Sequence, residues 1–94
     1  MNQANPVVVV TGVGPGTGAA IARRFAQGGY AVAMLARSGE RLTQLAHETP
    51  GTHAYPCDVT DEGQLDVTLA AIRTELGAPK VLIHNAVGGA FGSF

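Results

Sequence analysis

Pro6-Val7-Val8-Val9-Val10-Thr11-Gly12-Val13-Gly14-Pro15-Gly16-Thr17-Gly18 is the stretch that decides the fold. Four successive valines are β-branched and uniformly apolar, the pattern of a strand covered on both faces, as in a parallel sheet. The glycines that follow remove side chains from the chain's path and permit backbone angles that other residues avoid. From Thr17 to Gln27, Ile21, Ala22, Phe25 and Ala26 recur at helical spacing, and Gly28-Gly29 ends the helix. A glycine loop that leaves an apolar strand and opens a helix is suited to a pyrophosphate. The backbone can approach closely, and the free N–H groups at the helix start, with the positive end of its dipole, favour phosphate. A tight turn using glycine for packing alone is the competing reading, and the strand–loop–helix context weighs against it.

The register of the loop stays open among three readings. Gly14-x-Gly16-x-x-Ala19 fits the general dinucleotide fingerprint. Gly12-x-Gly14-x-x-Thr17 nearly fits it and is similar to the flavoprotein pattern. Thr11-Gly12-x-x-x-Gly16-x-Gly18 is the third. All three set a pyrophosphate at the same helix end.

Outward from this loop, strands and helices alternate. Tyr30 to Ala36 reads as a second strand. Ser38 is placed to cap a helix carrying Leu42, Leu45 and Ala46 on one face. Pro50-Gly51 is a turn. Thr52 to Cys57 is a third, weaker strand, and Thr60 or Asp61 caps a helix whose Leu65, Leu69, Ile72 and Leu76 form one stripe. Gly77 and Pro79 stop that helix, and Lys80 to Asn85 is a fourth strand. The remaining residues, 88–94, have no periodicity and read as a loop cut short. The order βαβαβαβ, with right-handed crossovers, predicts an α/β doubly wound, Rossmann-type half domain with parallel strands in the order 3-2-1-4. With no further strand beside it, the fourth strand is expected to leave Val81, Leu82 and Ile83 uncovered on at least one face, and so to favour self-association or a companion chain.

Composition bounds the function. The chain has 94 residues, room for one domain, and 46% of them are hydrophobic, which suits a packed globular unit. Six basic residues against seven acidic ones leave a net charge near −1 and no basic run, which argues against nucleic acid or an anionic membrane as partner. One cysteine, Cys57, builds neither a disulfide framework nor a cysteine metal cluster. No signal-like or membrane-spanning segment is evident, so a cytoplasmic location is expected.

The end of the second strand selects the cofactor. NAD-binding units place an acidic residue about 20 positions past the glycines to bond the ribose 2′-hydroxyl, whereas an arginine there accommodates a 2′-phosphate. Here the strand ends Leu35-Ala36-Arg37-Ser38, with no carboxylate and with Arg41 one turn into the next helix. A guanidinium forks onto phosphate through paired, charge-assisted hydrogen bonds. NADP(H) is therefore expected over NAD, and the missing acid also argues against the flavoprotein reading.

Together these residues resemble the N-terminal half of the short-chain dehydrogenase/reductase family. Thr11-Gly12-x-x-x-Gly16-x-Gly18 is similar to the family's glycine motif, Ala36-Arg37-Ser38 to its NADP-type strand end, Cys57-Asp58-Val59-Thr60-Asp61 to the segment holding adenine, and Asn85-Ala86 to its Asn-Asn-Ala-Gly motif. The resemblance implies an oxidoreductase that transfers hydride between NADPH and a carbonyl or alcohol substrate. It implies that Gly12, Gly14, Pro15, Gly16, Thr17 and Gly18 surround the pyrophosphate and that Arg37 and Ser38 meet the 2′-phosphate. Asp58 would bond the adenine amino group and Val59 would pack on or bond the ring. Asn85, with Ala86, would tie the fourth strand to its neighbour near the cofactor ribose.

The chain also departs from the family. His84 and Val87 stand where the motif has asparagine and glycine, and Pro15 where many NADP-preferring members have a basic residue. Family catalysis rests on a serine and a Tyr-x-x-x-Lys helix, in which lysine lowers the tyrosine pKa from the same helix face. Neither Tyr30 nor Tyr55 is followed by lysine at that spacing, since Met34 and Val59 stand there. No catalytic residue and no metal ligand is assigned. Cys57 reads as a buried small residue, and His47 and His53 as surface residues. The expected unit is thus the dinucleotide-binding part, residues 1–94, truncated before the catalytic part. A catalytically incompetent nucleotide-binding or regulatory module, or a fragment, is the alternative.

Overall fold

The computed structural model describes residues 5–13 and 17–84. Seven elements follow in order: β1 (Val7–Thr11), α1 (Thr17–Gln27), β2 (Ala31–Ala36), α2 (Gly39–Glu48), β3 (Thr52–Pro56), α3 (Glu62–Glu75) and β4 (Pro79–His84). All strand pairs are parallel, and the sheet order is β3-β2-β1-β4, as the sequence predicts. Expected element boundaries that fall among the described residues hold to within one or two residues, the usual spread at frayed ends, whereas the expected end of the fourth strand at Asn85 and the loop over 88–94 lie outside the described residues.

The valine run explains why β1 is central. Its five residues are all buried, with β2 on one side and β4 on the other. Because side chains alternate across a strand, Val8 and Val10 feed one core and Val7 and Val9 the other. On the first face, Val32 and Met34 of β2 join them beneath Ala22 of α1 and Leu42 of α2. On the second, Ala33, Leu35 and Cys57 pack under Ile72 of α3, with Leu65, Leu69 and Leu76 around it. Helices therefore cover both faces, α1 and α2 on one and α3 on the other. This is why β1 and β2 tolerate no polar face.

The edges differ. β3 contributes only Thr52 as a buried residue, consistent with its weaker apolar pattern. In β4, Val81 and Ile83 lean against the α1/α2-side core, while Leu82 is 66% exposed. The expected loss of cover thus falls on Leu82 rather than evenly on Val81, Leu82 and Ile83, because alternation turns only one of the three toward the α3 side. Pro79 opens this strand, a place where a missing N–H is tolerated, and the register with β1 shifts there between Val7 and Val8.

Helix ends follow local chemistry. Asp61 resolves the choice at the third helix: it is the N-cap, and its carboxylate accepts from the Gln64 N–H. Ser38 occupies the N-cap position of α2 with extended backbone, but its hydroxyl makes no cap hydrogen bond. After Leu76, Gly77 adopts φ +122°, a value that side-chain-bearing residues rarely adopt, and the chain turns back into β4.

Candidate functional site

In open α/β sheets ligands bind in the crevice outside the carboxyl ends of the strands, where strand order reverses. Here β1 has β2 on one side and β4 on the other, so the sheet's switch point lies at β1. A cleft of about 410 Å³ opens at the carboxyl ends of β1, β2 and β3. Gly12 and Val13 line it from β1, Ala36, Arg37 and Ser38 from β2, and Cys57, Asp58, Val59 and Thr60 from β3.

The backbone fixes these segments relative to one another. Val13 N–H donates to the Leu35 carbonyl at 3.2 Å, holding the start of the glycine loop against β2. Cys57 N–H donates to the Ala36 carbonyl at 2.9 Å, bringing Asp58 close to Arg37. Gly12 adopts φ +69°, which lets the chain leave β1 sharply without a side chain intruding on the cleft. The floor is apolar, with Val13, Leu35 and Cys57 buried. The rim is polar, with Arg37 and Ser38 exposed and Asp58 half-buried.

Asp58 is the most constrained of the polar groups. Its Oδ1 accepts from the Thr60 hydroxyl at 2.6 Å and from the Thr60 N–H at 3.0 Å, an Asx turn. The hydroxyl and then the N–H hold the carboxyl below its ordinary value. Partial desolvation opposes them weakly, and the Arg37 guanidinium across the cleft adds a smaller lowering. Asp58 is therefore a charged acceptor at neutral pH. Among the described residues nothing hydrogen-bonds its Oδ2. Such an arrangement can accept from a ligand amino group, while the guanidinium and the Ser38 hydroxyl suit an anion.

The structure brings Gly12, Arg37, Ser38, Asp58 and Val59 to one cleft. Thr17 and Gly18 open α1, as the loop-to-helix reading expects. Gly14, Pro15, Gly16, Asn85 and Ala86 lie outside the described residues. Arg41 is exposed on α2 and does not line the cleft. Cys57 is buried, and His47 and His53 are exposed, as read from the sequence.

Two features escaped that reading. Thr60 fixes the Asp58 carboxylate, and the Asp-x-Thr spacing of an Asx turn was its available signal. His84 lies beside Thr11 in the sheet register, and its Nδ1 shares a 2.6 Å hydrogen bond with the Thr11 hydroxyl, tying the ends of β1 and β4. No local pattern announces that bond, because its partners are 73 residues apart.

Comparison with known proteins agrees with this geometry. The family model for short chain dehydrogenases matches residues 6–94. An oxidoreductase of Mycobacterium tuberculosis is 37% identical over 87 residues, covering 85% of this chain and 26% of the relative. An actinorhodin polyketide ketoreductase variant solved with NADPH superposes with a TM-score of 0.86 at 30% identity, over 97% of this chain and 38% of that one. The 3-ketoacyl-(acyl-carrier-protein) reductase of Brucella melitensis, complexed with NADH, gives 0.78 at 29% identity, over 84% and 33%. The chain thus spans 26% to 38% of the length of these three proteins. A strand order of 3-2-1-4, a glycine loop leaving its central strand and a family match from residue 6 onward lead to one conclusion: this chain belongs to the short chain dehydrogenase family.

Proposed function

We propose that this chain is the NADP(H)-binding part of an oxidoreductase acting on a carbonyl or alcohol substrate. The observation that carries the reading is the cleft itself, where Arg37 and Asp58 stand over an apolar floor beside Gly12. The residues suit an adenosine 2′-phosphate: Asp58 has an acceptor oxygen to spare for the adenine amino group, Val59 offers an apolar contact, and Arg37 with Ser38 offers donors to the phosphate. The glycine segment from Gly12 to Gly18, ending at the start of α1, would take the pyrophosphate, and Asn85 with Ala86 the ribose beyond it. Three solved structures similar to this chain, two of them ketoreductases and one a short-chain oxidoreductase, hold NADH, NADPH and NADP, which supports a nicotinamide dinucleotide. The choice of NADP rests on Arg37 standing where NAD-binding units carry an acid.

When bound, the nicotinamide supplies the hydride chemistry; the residues here bind and orient it. Neither tyrosine has lysine four residues later, so these 94 residues are expected to bind cofactor rather than turn it over. The test is titration with NADPH and NADH. A charge-assisted contact to the 2′-phosphate contributes about 1.5–3 kcal/mol, so NADPH should bind on the order of tenfold or more tightly than NADH. Arg37→Asp should reverse the preference. Equal affinities in the unaltered chain would refute the NADP reading.

A further inference from the structure

We propose that Gln64, an exposed residue of α3 outside the cleft, is a positioning residue for Asp58 and hence for recognition of the adenine ring. The proposal rests on the reading above that Asp58 meets the adenine amino group.

Asp61 and Gln64 have the spacing of a helix capping box, in which the side chain three residues into the helix returns to the N–H of the N-cap residue itself. Half of that arrangement is present, since Gln64 N–H donates to Asp61 Oδ1 at 3.1 Å. The other half is redirected. Asp61 N–H is already taken by the Asp58 carbonyl at 3.0 Å. The Gln64 side-chain oxygen instead accepts from the Asp58 N–H at 3.0 Å, six residues upstream. Its amide nitrogen donates to Asp61 Oδ2 at 3.3 Å, which turns the oxygen back toward Asp58.

The result is a closed loop of hydrogen bonds around a single residue. Asp58 is held by its N–H through Gln64, by its carbonyl through Asp61 and by Oδ1 through Thr60. Only Oδ2 keeps an acceptor position open among the described residues. An ordinary helix cap needs none of this reach beyond the N-cap. The reach has a use if Asp58 must present one oxygen in a fixed direction, because a preorganised acceptor discriminates between ligands more sharply than a mobile one.

The experiment compares binding of NADPH with its hypoxanthine analogue, whose carbonyl oxygen replaces the adenine amino group and so opposes an acceptor to Asp58. The unaltered protein should prefer NADPH by about tenfold, as expected for a hydrogen bond to a charged acceptor. Gln64→Met, similar in length but at most a weak acceptor for the Asp58 N–H, should cut that preference to below about threefold. Gln64→Glu keeps an acceptor for the Asp58 N–H but loses the donor to Asp61 Oδ2 and sets a second carboxylate beside it, so it should retain part of the preference, more than Gln64→Met does. If the unaltered protein shows no preference, both the Asp58 reading and the role of Gln64 fail. If it does but Gln64→Met leaves the preference intact, or weakens both ligands equally, Gln64 is structural only and the proposal alone is overturned. A Gln64→Glu protein that folds yet discriminates no better than Gln64→Met also overturns it.

Discussion

Ile72→Ala is the sharpest test of how α3 is held, and through α3 of how the Asp58 segment is placed. Ile72 is fully buried and is the one residue of this helix that is. It sits against Val7, Val9, Ala33, Leu35 and Cys57, on a sheet face that no other helix covers among the described residues. Truncation removes three carbon atoms, worth about 2.4 kcal/mol at ~0.8 kcal/mol per buried methylene. The cavity left between helix and sheet adds to this, within the ~2–5 kcal/mol span of buried isoleucine-to-alanine changes, so a loss of about 3–4 kcal/mol is expected. For a domain of this size that lowers the melting temperature on the order of 15 °C. Val67→Ala is the matched control. Val67 is an apolar residue of the same helix but 71% exposed, so its truncation should be neutral or stabilise by a few tenths of a kcal/mol through helix propensity. Urea unfolding followed by far-ultraviolet circular dichroism measures both. An Ile72→Ala loss below about 1 kcal/mol, or a Val67→Ala loss of equal size, would refute the packing described for this face.

Tyr55 donates to Glu75 at 2.5 Å, and burial first, then that hydrogen bond and the glutamate charge, raise its pKa above the ordinary value. A raised folded-state pKa means that the stabilisation is fully present below the unfolded tyrosine pKa of about 10 and is lost as pH climbs through the folded value. Tyrosinate absorbance should therefore show a late-titrating component that Tyr55→Phe abolishes and Glu75→Gln moves earlier; its persistence in Tyr55→Phe would contradict the assignment. Leu82, exposed on an edge strand, is expected to seat a second copy of the chain. Light scattering should show concentration-dependent association that Leu82→Lys reduces, and a clean monomer at high concentration would count against it.

Much of the fold is legible in the sequence because its signals are local. The valine run, the glycines and the heptad-like stripe of α3 each state their own element, and right-handed crossovers leave few ways to join them. Ser38 shows the limit of such signals: the sequence places it correctly as N-cap, yet its hydroxyl does not cap, since residue type specifies the position and not the hydrogen bond. Local motifs single out Arg37 and Asp58, which the structure brings to one cleft. Two contacts were not legible in this way. The Thr11–His84 bond depends on β1 and β4 meeting in register, and the Gln64–Asp58 bond on a cap whose second half is diverted. The first follows from tertiary placement that no window of sequence contains; the second spans only six residues, but residue type does not say which N–H the Gln64 side chain takes.

The most direct measurement is an amide chemical-shift titration with NADPH on isotopically labelled protein. Binding across the carboxyl ends of β1, β2 and β3 should shift the amides of Gly12, Val13, Gly18, Arg37, Ser38, Asp58 and Val59. The turns at the opposite end of the sheet, Gly28-Gly29 and Pro50-Gly51 (where proline has no amide to report), should stay still. Shifts confined to that opposite end, or none at saturating NADPH, would contradict a dinucleotide site in this cleft.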